Sequence, residues 1–292
     1  MSREIVGFVG LGNLGKAIAD NIVKGGFEMS VYDIVKADER APGGTHVAAS
    51  VTEVAERTSI IFLCMPTIPS IESVVSEICE AKLSENLIVV NTSTASPSCA
   101  ISCHTRLVEK GVSYVDATIS GTPPRTRKAQ ARVMFSGEPE HLQRLQPVFE
   151  CFSEKVFDLG SVVGNGQRMK LVNNCLVHTA LAVSSEALAW GEQGGLTMKT
   201  MLDVLEETSG RNIATDHYFP EAVLSGTYDT GATISIARKD IETYVEEAKT
   251  DGCRHEVANA AFNAMRELQE VNPDADQVMM YAFTRNGGKL PD

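Results

Sequence analysis

Residues 5–15 read Ile5-Val6-Gly7-Phe8-Val9-Gly10-Leu11-Gly12-Asn13-Leu14-Gly15, and the architecture can be worked outward from them. The first five residues are β-rich and apolar. Gly10, Gly12 and Gly15 then make a G-x-G-x-x-G turn, and an amphipathic helical stretch runs from Leu14 to Val23. In that strand-turn-helix context each glycine has a physical task. The first allows the tight turn, the second lets backbone approach a pyrophosphate, and the third lets the helix pack against the strand. The helix start then offers N–H groups and a positive dipole end to phosphates. The glycine turn with Leu11, Asn13 and Leu14 is therefore a dinucleotide site by expectation.

An acidic residue closes the next strand-like run, 29–33, about 20 residues further on. Asp33 there can accept both ribose hydroxyls and repels a 2′-phosphate, which favours NAD. Lys36 and Arg40 stand close enough to keep NADP as the alternative.

Downstream, strand-like and helix-like patterns keep alternating. A weaker strand-helix pair spans 46–57, near-continuous apolar runs fall at 60–64 and 87–90, and helical patterns at 70–80 and 97–110. Further strands are expected at 112–115, 133–135 and 155–159. Apolar runs of this kind suit strands buried on both faces of a parallel sheet, and repeated β-α-β units imply a doubly wound Rossmann domain. From 166 to 190 apolar residues recur at helical spacing, and helical patterns continue to Phe283. The expected fold is thus α/β, with an all-helical C-terminal domain joined by a long helix. The boundary is placed at its start: a dinucleotide-binding domain over 1–164 and an all-helical substrate and oligomerisation domain over 165–292.

The 292 residues are 43% hydrophobic and 22% charged, with a formal net charge of −12. That balance supplies a core for two domains. It argues against nucleic acid or an anionic membrane as the partner, because a polyanion needs a field of Lys and Arg. No apolar run approaches the roughly 20 residues of a membrane span. With the first strand starting at once and seven scattered cysteines, the expectation is a cytoplasmic protein with free thiols. Cys99 and Cys103 have no second ligand pair nearby, so no metal is expected.

Lys170 and Asn174 open the long helix at i and i+4, on one face. A lysine that loses hydration acquires a pKa suited to proton transfer, and the amide can donate to a substrate oxygen. A surface lysine beside a polar helix start is the competing reading of that spacing.

At this point the chain resembles the β-hydroxyacid dehydrogenases, including the 3-hydroxyisobutyrate dehydrogenase and tartronate semialdehyde reductase types. The resemblance covers nearly the whole chain. It rests on residues 7–15, Cys64-Met65-Pro66, Ser93-Thr94 with Pro97, Asp116-Ala117-Thr118-Ile119-Ser120-Gly121, the Lys170/Asn174 helix and Lys239-Asp240. It implies NAD-dependent interconversion of a short 3-hydroxy acid and its semialdehyde, with a small anionic hydroxy acid as substrate. Lys170 would be the acid/base and Asn174 a substrate ligand. Ser120 and Gly121, with the neighbouring Thr122, would hold the carboxylate. Met65, Pro66 and Thr94 would line the cofactor, Lys239 would reach it, and Asp240 would orient neighbouring groups. An imine reductase-like NAD(P)H enzyme is the near alternative, although such relatives generally lack the lysine. A non-catalytic NAD-binding sensor is the distant one.

The loop after Gly121 departs from the family pattern. Thr122, Arg125 and Ala129 stand where glycines are usual, and Pro123-Pro124 stiffen the segment. Arg125, Arg127, Lys128 and Arg132 suit a larger or more anionic substrate, or else a solvated or inter-subunit face. His178 and the Arg211-Asn212 pair are secondary candidates near a substrate, and Trp190 is expected in core or domain-interface packing. The long apolar helix points to a homodimer or homotetramer.

Overall fold

The structure, a computed structural model, describes residues 4–291. The chain divides into two compact units, one ending at Lys170 and the next beginning at Leu171, so the division falls inside the long helix.

The first unit is built on eight strands: β1 (Ile5–Val9), β2 (Glu28–Tyr32), β3 (His46–Val47), β4 (Ile60–Leu63), β5 (Ile88–Asn91), β6 (Ser113–Ser120), β7 (Ala131–Ser136) and β8 (Ser153–Asp158). They form one sheet in the order β3-β2-β1-β4-β5-β6-β7-β8. The helices between them are α1 (Asn13–Lys24), α2 (Ala37–Arg40), α3 (Val51–Arg57), α4 (Ile68–Glu80), α5 (Pro97–Val108), α6 (Pro123–Arg127) and α7 (Pro139–Phe149). The chain winds outward from β1 through β2 to β3, then returns to place β4 on the other side of β1. Ligands of open α/β sheets bind at that reversal, beyond the carboxyl ends of the strands. The glycine turn leaves β1 at this point.

The period of two along each strand divides the core into two layers. Val6, Phe8, Ile60, Phe62, Ile88 and Val90 belong to one apolar cluster, while Val9, Ile61, Leu63, Leu87 and Val89 belong to the other. In the first layer the rings of Phe8 and Phe62 stack at 5.9 Å, and Phe149 and Phe152 meet Phe62 edge-on at 6.2 Å.

Two features depart from the expected pattern. β6 runs five residues past the expected end at 115 to Ser120, and its polar members Asp116 and Thr118 are buried. β7 pairs with β6 antiparallel, while the other neighbouring strands are parallel. The reason is length: a parallel crossover needs about a dozen residues or more, usually including a helix, and 121–130 contains only the five-residue α6. The segment read as an altered glycine loop is therefore a short helical excursion in a β-hairpin. Ala129 keeps a left-handed φ of 56° there, a conformation that costs an L-residue roughly 1–2 kcal/mol.

The long helix α8 (Asn165–Gln193) carries the chain into the second unit, with α9 (Met198–Glu206), a π-helical stretch at Ala214–Val223, α10 (Ile234–Thr250), α11 (Glu256–Val271) and α12 (Met279–Arg285). Pro220 lies inside the π-helical stretch; it has no N–H to donate, which favours a departure from regular α geometry. Leu181, Met201, Phe219, Ile241, Met265 and Tyr281 belong to this unit's core. Trp190 does not. It is 77% exposed, as are large parts of Leu176 and Val183 on the same helix, so the expectation of core packing for Trp190 is corrected. No helix among the described residues is long and apolar enough to cross a membrane.

Candidate active site

The glycine turn has the geometry its residue types demand. Gly10 sits at φ 97°, its N–H donates to Tyr32 O at 2.9 Å, and a Cβ built on it would overlap the carbonyl oxygen of Cys64. A Cβ on Gly15 would overlap the carbonyl oxygen of Gly10, so α1 lies directly against the turn. Gly12 differs: it is exposed, and a Cβ there would meet nothing within 4 Å. It forms the N-cap of α1 without any side chain bonding to the cap. The first turn of a helix leaves N–H groups without intrahelical partners, and among the described residues no side chain caps this one. Open space above exposed backbone donors fits a pyrophosphate.

Asp33 braces this turn. Its Oδ2 accepts from Leu11 N–H at 2.6 Å, its Oδ1 accepts from Val35 N–H at 2.7 Å, and Arg40 lies 3.6 Å from Oδ2. Leu11 gives the turn that one bond while its side chain packs in the core, and Leu14 packs partly beside it. Asn13 is exposed at the helix start. Asp33 thus does structural work as well, while each oxygen retains acceptor capacity.

The neighbouring strand ends are fastened to one another. Ser93 Oγ accepts from Met65 N–H at 2.8 Å, and Thr92 Oγ1 donates to Leu63 O at 2.6 Å. Met65 and Thr94 are half-buried and Pro66 is exposed. Thr67 caps α4 in a reciprocal pair with Ser70, which fixes the exit from Pro66. At the end of β6, Ser120, Gly121 and Thr122 are half-buried. Thr122 is the N-cap of α6 but its hydroxyl makes no cap bond. Asn21 Nδ2 donates to Thr126 O at 2.6 Å and so ties α6 to α1. Of the loop cations, Arg132 pairs with Glu154, whereas Arg125, Arg127 and Lys128 are exposed.

The first turns of α8 enter the same unit through buried polar groups to which the sequence reading assigned no role. Asp116, 1% exposed on β6, accepts from Tyr114 Oη at 3.0 Å, Gln167 Nε2 at 3.1 Å, Gly164 N–H at 3.1 Å and Ser136 Oγ at 3.3 Å. Burial pushes its pKa up, and these four donors oppose that rise. Gln167 is fully buried; its Oε1 accepts from Ala95 N–H at 2.8 Å and its Nε2 donates to Ser93 O at 3.1 Å. Lys170, half-buried, follows Gln167 by one helical turn. A charged residue inside a strand was the sequence signal for this network.

In the second unit, Asn174 Nδ2 donates to Asp240 Oδ2 at 2.6 Å, and Asn173 Nδ2 donates to Asn174 Oδ1 at 2.9 Å. Lys239 Nζ lies 3.0 Å from Asp240 Oδ1. The structure therefore brings Asn174, Asp240 and Lys239 together, with the buried carboxylate orienting both neighbours. His178 is buried one turn beyond Asn174. Arg211 is committed to Asp216 at 2.8 Å, and Asn212 Oδ1 accepts from Ala214 N–H at 2.9 Å, which are local structural roles.

Comparison with known proteins identifies the family of the chain. Residues 5–160 match the family described as the NAD binding domain of 6-phosphogluconate dehydrogenase, and residues 164–284 match the NAD-binding region of NADP-dependent 3-hydroxyisobutyrate dehydrogenase. The chain is 28% identical over 258 residues to 2-(hydroxymethyl)glutarate dehydrogenase of Eubacterium barkeri, covering 85% of this chain and 84% of that protein. It is 26% identical over 273 residues to the NAD-dependent L-serine dehydrogenase of Pseudomonas aeruginosa, covering 90% and 91%. In fold it is similar to the Mycobacterium tuberculosis 3-hydroxyisobutyrate dehydrogenase solved with L-serine, at TM-score 0.90 and 22% identity over 97% of this chain and 99% of that one. Because the first of these matched segments spans more than half of the chain and the second follows it without overlap, the protein belongs to the β-hydroxyacid dehydrogenase family.

Proposed function

We propose that the protein interconverts a short 3-hydroxy acid and its semialdehyde using NAD(H), with Lys170 as general acid/base. The observation that carries this reading is the placement of Lys170. It stands one turn after Gln167, whose amide bonds Ser93 and Ala95 on either side of Thr94. When bound, the nicotinamide supplies the hydride acceptor or donor. In oxidation Lys170 Nζ takes the proton of the substrate hydroxyl as the carbon-bound hydrogen leaves with its electron pair; in reduction it returns that proton to the new alkoxide. Ser120, Gly121 and Thr122 hold the carboxylate. Asn174 retains one N–H after donating to Asp240, and gives it to the substrate oxygen. Gly10 to Gly15, Asp33, Met65, Pro66, Thr94 and Lys239 serve the cofactor.

The domain assignment follows the same reading: the sheet unit binds dinucleotide, and the helical unit serves substrate and self-association. The names of the relatives share one chemical unit, a hydroxymethyl group on the carbon next to a carboxylate. The exposed cations Arg125, Arg127 and Lys128 beyond the carboxylate loop add support for a substrate with a second anionic group. An NAD-coupled screen of 3-hydroxy acids, dicarboxylic and sulfonated ones included and with NADP+ in parallel, tests the proposal. Turnover of at least one 3-hydroxy acid, faster with NAD+, is expected. Reduction of cyclic imines alone would replace the reading with imine reduction, and NADH binding without any turnover would replace it with a sensor.

We also propose that two or more copies associate. Leu176, Val183 and Trp190 follow one another at seven-residue spacing along α8, and all three are exposed. An apolar stripe of this kind on a soluble chain marks a contact surface. Light scattering should give at least twice the 31.5 kDa of one chain; a monomer at micromolar concentration would refute association.

A further inference from the structure

A buried glutamine has two N–H groups and a carbonyl oxygen to satisfy, and Gln167 places all three on two distant segments, the 93–95 loop and β6. Its Oε1 accepts from Ala95 N–H at 2.8 Å, and its two N–H groups reach Ser93 O and Asp116 Oδ1, both at 3.1 Å. The two main-chain bonds flank Thr94. Ser93 extends the tether to the end of β4 through Met65 N–H, and Asp116 extends it to Ser136 and Gly164. Gly166 N–H donates to Ser136 Oγ at 2.9 Å as well. The first turn of α8 is thereby held to the ends of β4 and β5 and to the body of β6 and β7. Lys170 lies at i+3 from Gln167, one turn along the same face.

We propose that Gln167, held by Asp116, is a positioning residue that sets the height of Lys170 against the strand-end loops 65–66 and 93–95. This rests on the reading of Lys170 as acid/base. Proton and hydride must move between groups held in a near-attack geometry, where a displacement of about 1 Å costs on the order of 10²-fold in rate. Three hydrogen bonds from one planar amide fix the helix start in three directions, which apolar packing alone does not do.

Two variants test this. Q167M keeps the volume and removes all three bonds. Q167E, when protonated, offers one acceptor and one O–H donor, and so restores the bond from Ala95 and one of the other two. Ionised, it faces the Asp116 carboxylate and loses the donor.

With the best hydroxy acid found in the screen, Q167M is expected to lower kcat on the order of 10²-fold with NADH affinity changed less than about threefold. For Q167E, kcat relative to Q167M should rise by about fivefold or more from roughly pH 8 to roughly pH 5.5, as a glutamate raised by its acidic neighbour takes up a proton. Should Q167M fail to fold, the pH dependence of the wild-type to Q167E ratio decides alone. The inference is overturned if both variants stay within about twofold of wild-type kcat. It is also overturned if loss of kcat follows the unfolded fraction in thermal melts and the Q167E ratio is flat with pH. Lys170→Ala, measured alongside, separates the two readings. An inactive K170A with unaffected Gln167 variants sinks only the positioning role, whereas an active K170A sinks the acid/base reading on which it rests.

Discussion

Replacement of Lys170 by alanine is expected to lower kcat by roughly 10²–10⁴-fold, the usual worth of a positioned acid/base, while NADH affinity stays within about threefold of wild type. The separation follows from the placement of the groups. The glycine turn, Asp33 and the loops at 65–66 and 93–95 are braced by Tyr32, Leu11, Ser93 and Gln167, and Lys170 supplies none of those bonds. Lys170→Arg makes the test sharper. A guanidinium keeps the positive charge, but it holds its proton far too tightly to release it in a protein. If Lys170 acts only as a fixed charge on the substrate carboxylate, K170R should retain much of the activity; if it transfers a proton, K170R should resemble K170A. Steady-state kcat with a NADH fluorescence titration reads both variants. Turnover of K170A within tenfold of wild type would remove Lys170 from the chemistry.

The second large effect is expected to divide the glycines of the turn by what surrounds each. Gly12→Ala adds a methyl group where nothing lies within 4 Å, at φ −62° and ψ −174°, a backbone conformation alanine adopts readily. Its melting temperature should match wild type, while NADH binding weakens by about tenfold or more because the methyl occupies the approach to the helix start. Gly15→Ala places its methyl on the carbonyl oxygen of Gly10. Relief requires α1 to move off the turn, and overpacking of that kind costs roughly 1–3 kcal/mol. Thermal melts therefore separate the two proteins: G15A melts below wild type, whereas G12A loses NADH affinity without losing stability. A G12A protein that binds NADH as tightly as wild type would show that the dinucleotide does not use this turn.

Much of the fold was legible because it is written in short periods. The alternation that sends Val6 and Phe8 to one layer and Val9 to the other, and the 3.6-residue recurrence along α8, are local patterns. Where polar residues interrupt the pattern, the reading stopped early. β6 was expected to end at 115, yet it continues because Asp116 and Thr118, inside the sheet, find hydrogen bonds and Ser120 is half-buried at its end, paired with Arg132 of β7. Trp190 was misplaced for a related reason: helical spacing shows that a stripe is apolar but not what covers it.

The candidate site divides in the same way. Gly10, Gly12, Gly15 and Asp33 could be nominated from the sequence because strand, turn and helix are contiguous and their chemistry is local. Lys170 and Asn174 were found as an i, i+4 pair on one helix. Their supports were not. Gln167 and Ala95 are 72 residues apart, Gln167 and Asp116 are 51 apart, and Asn174 and Asp240 are 66 apart. Local sequence patterns encode the glycine turn, the layered sheet and the long helix, and they nominate the residues proposed for the chemistry. Only the tertiary structure decided the antiparallel return of β7, the surroundings that distinguish Gly12 from Gly15, and the buried clasp beneath Lys170. The physical reason is that a periodic pattern encodes which face of an element is apolar, whereas a buried hydrogen bond between distant segments depends on the direction and distance that folding alone brings about.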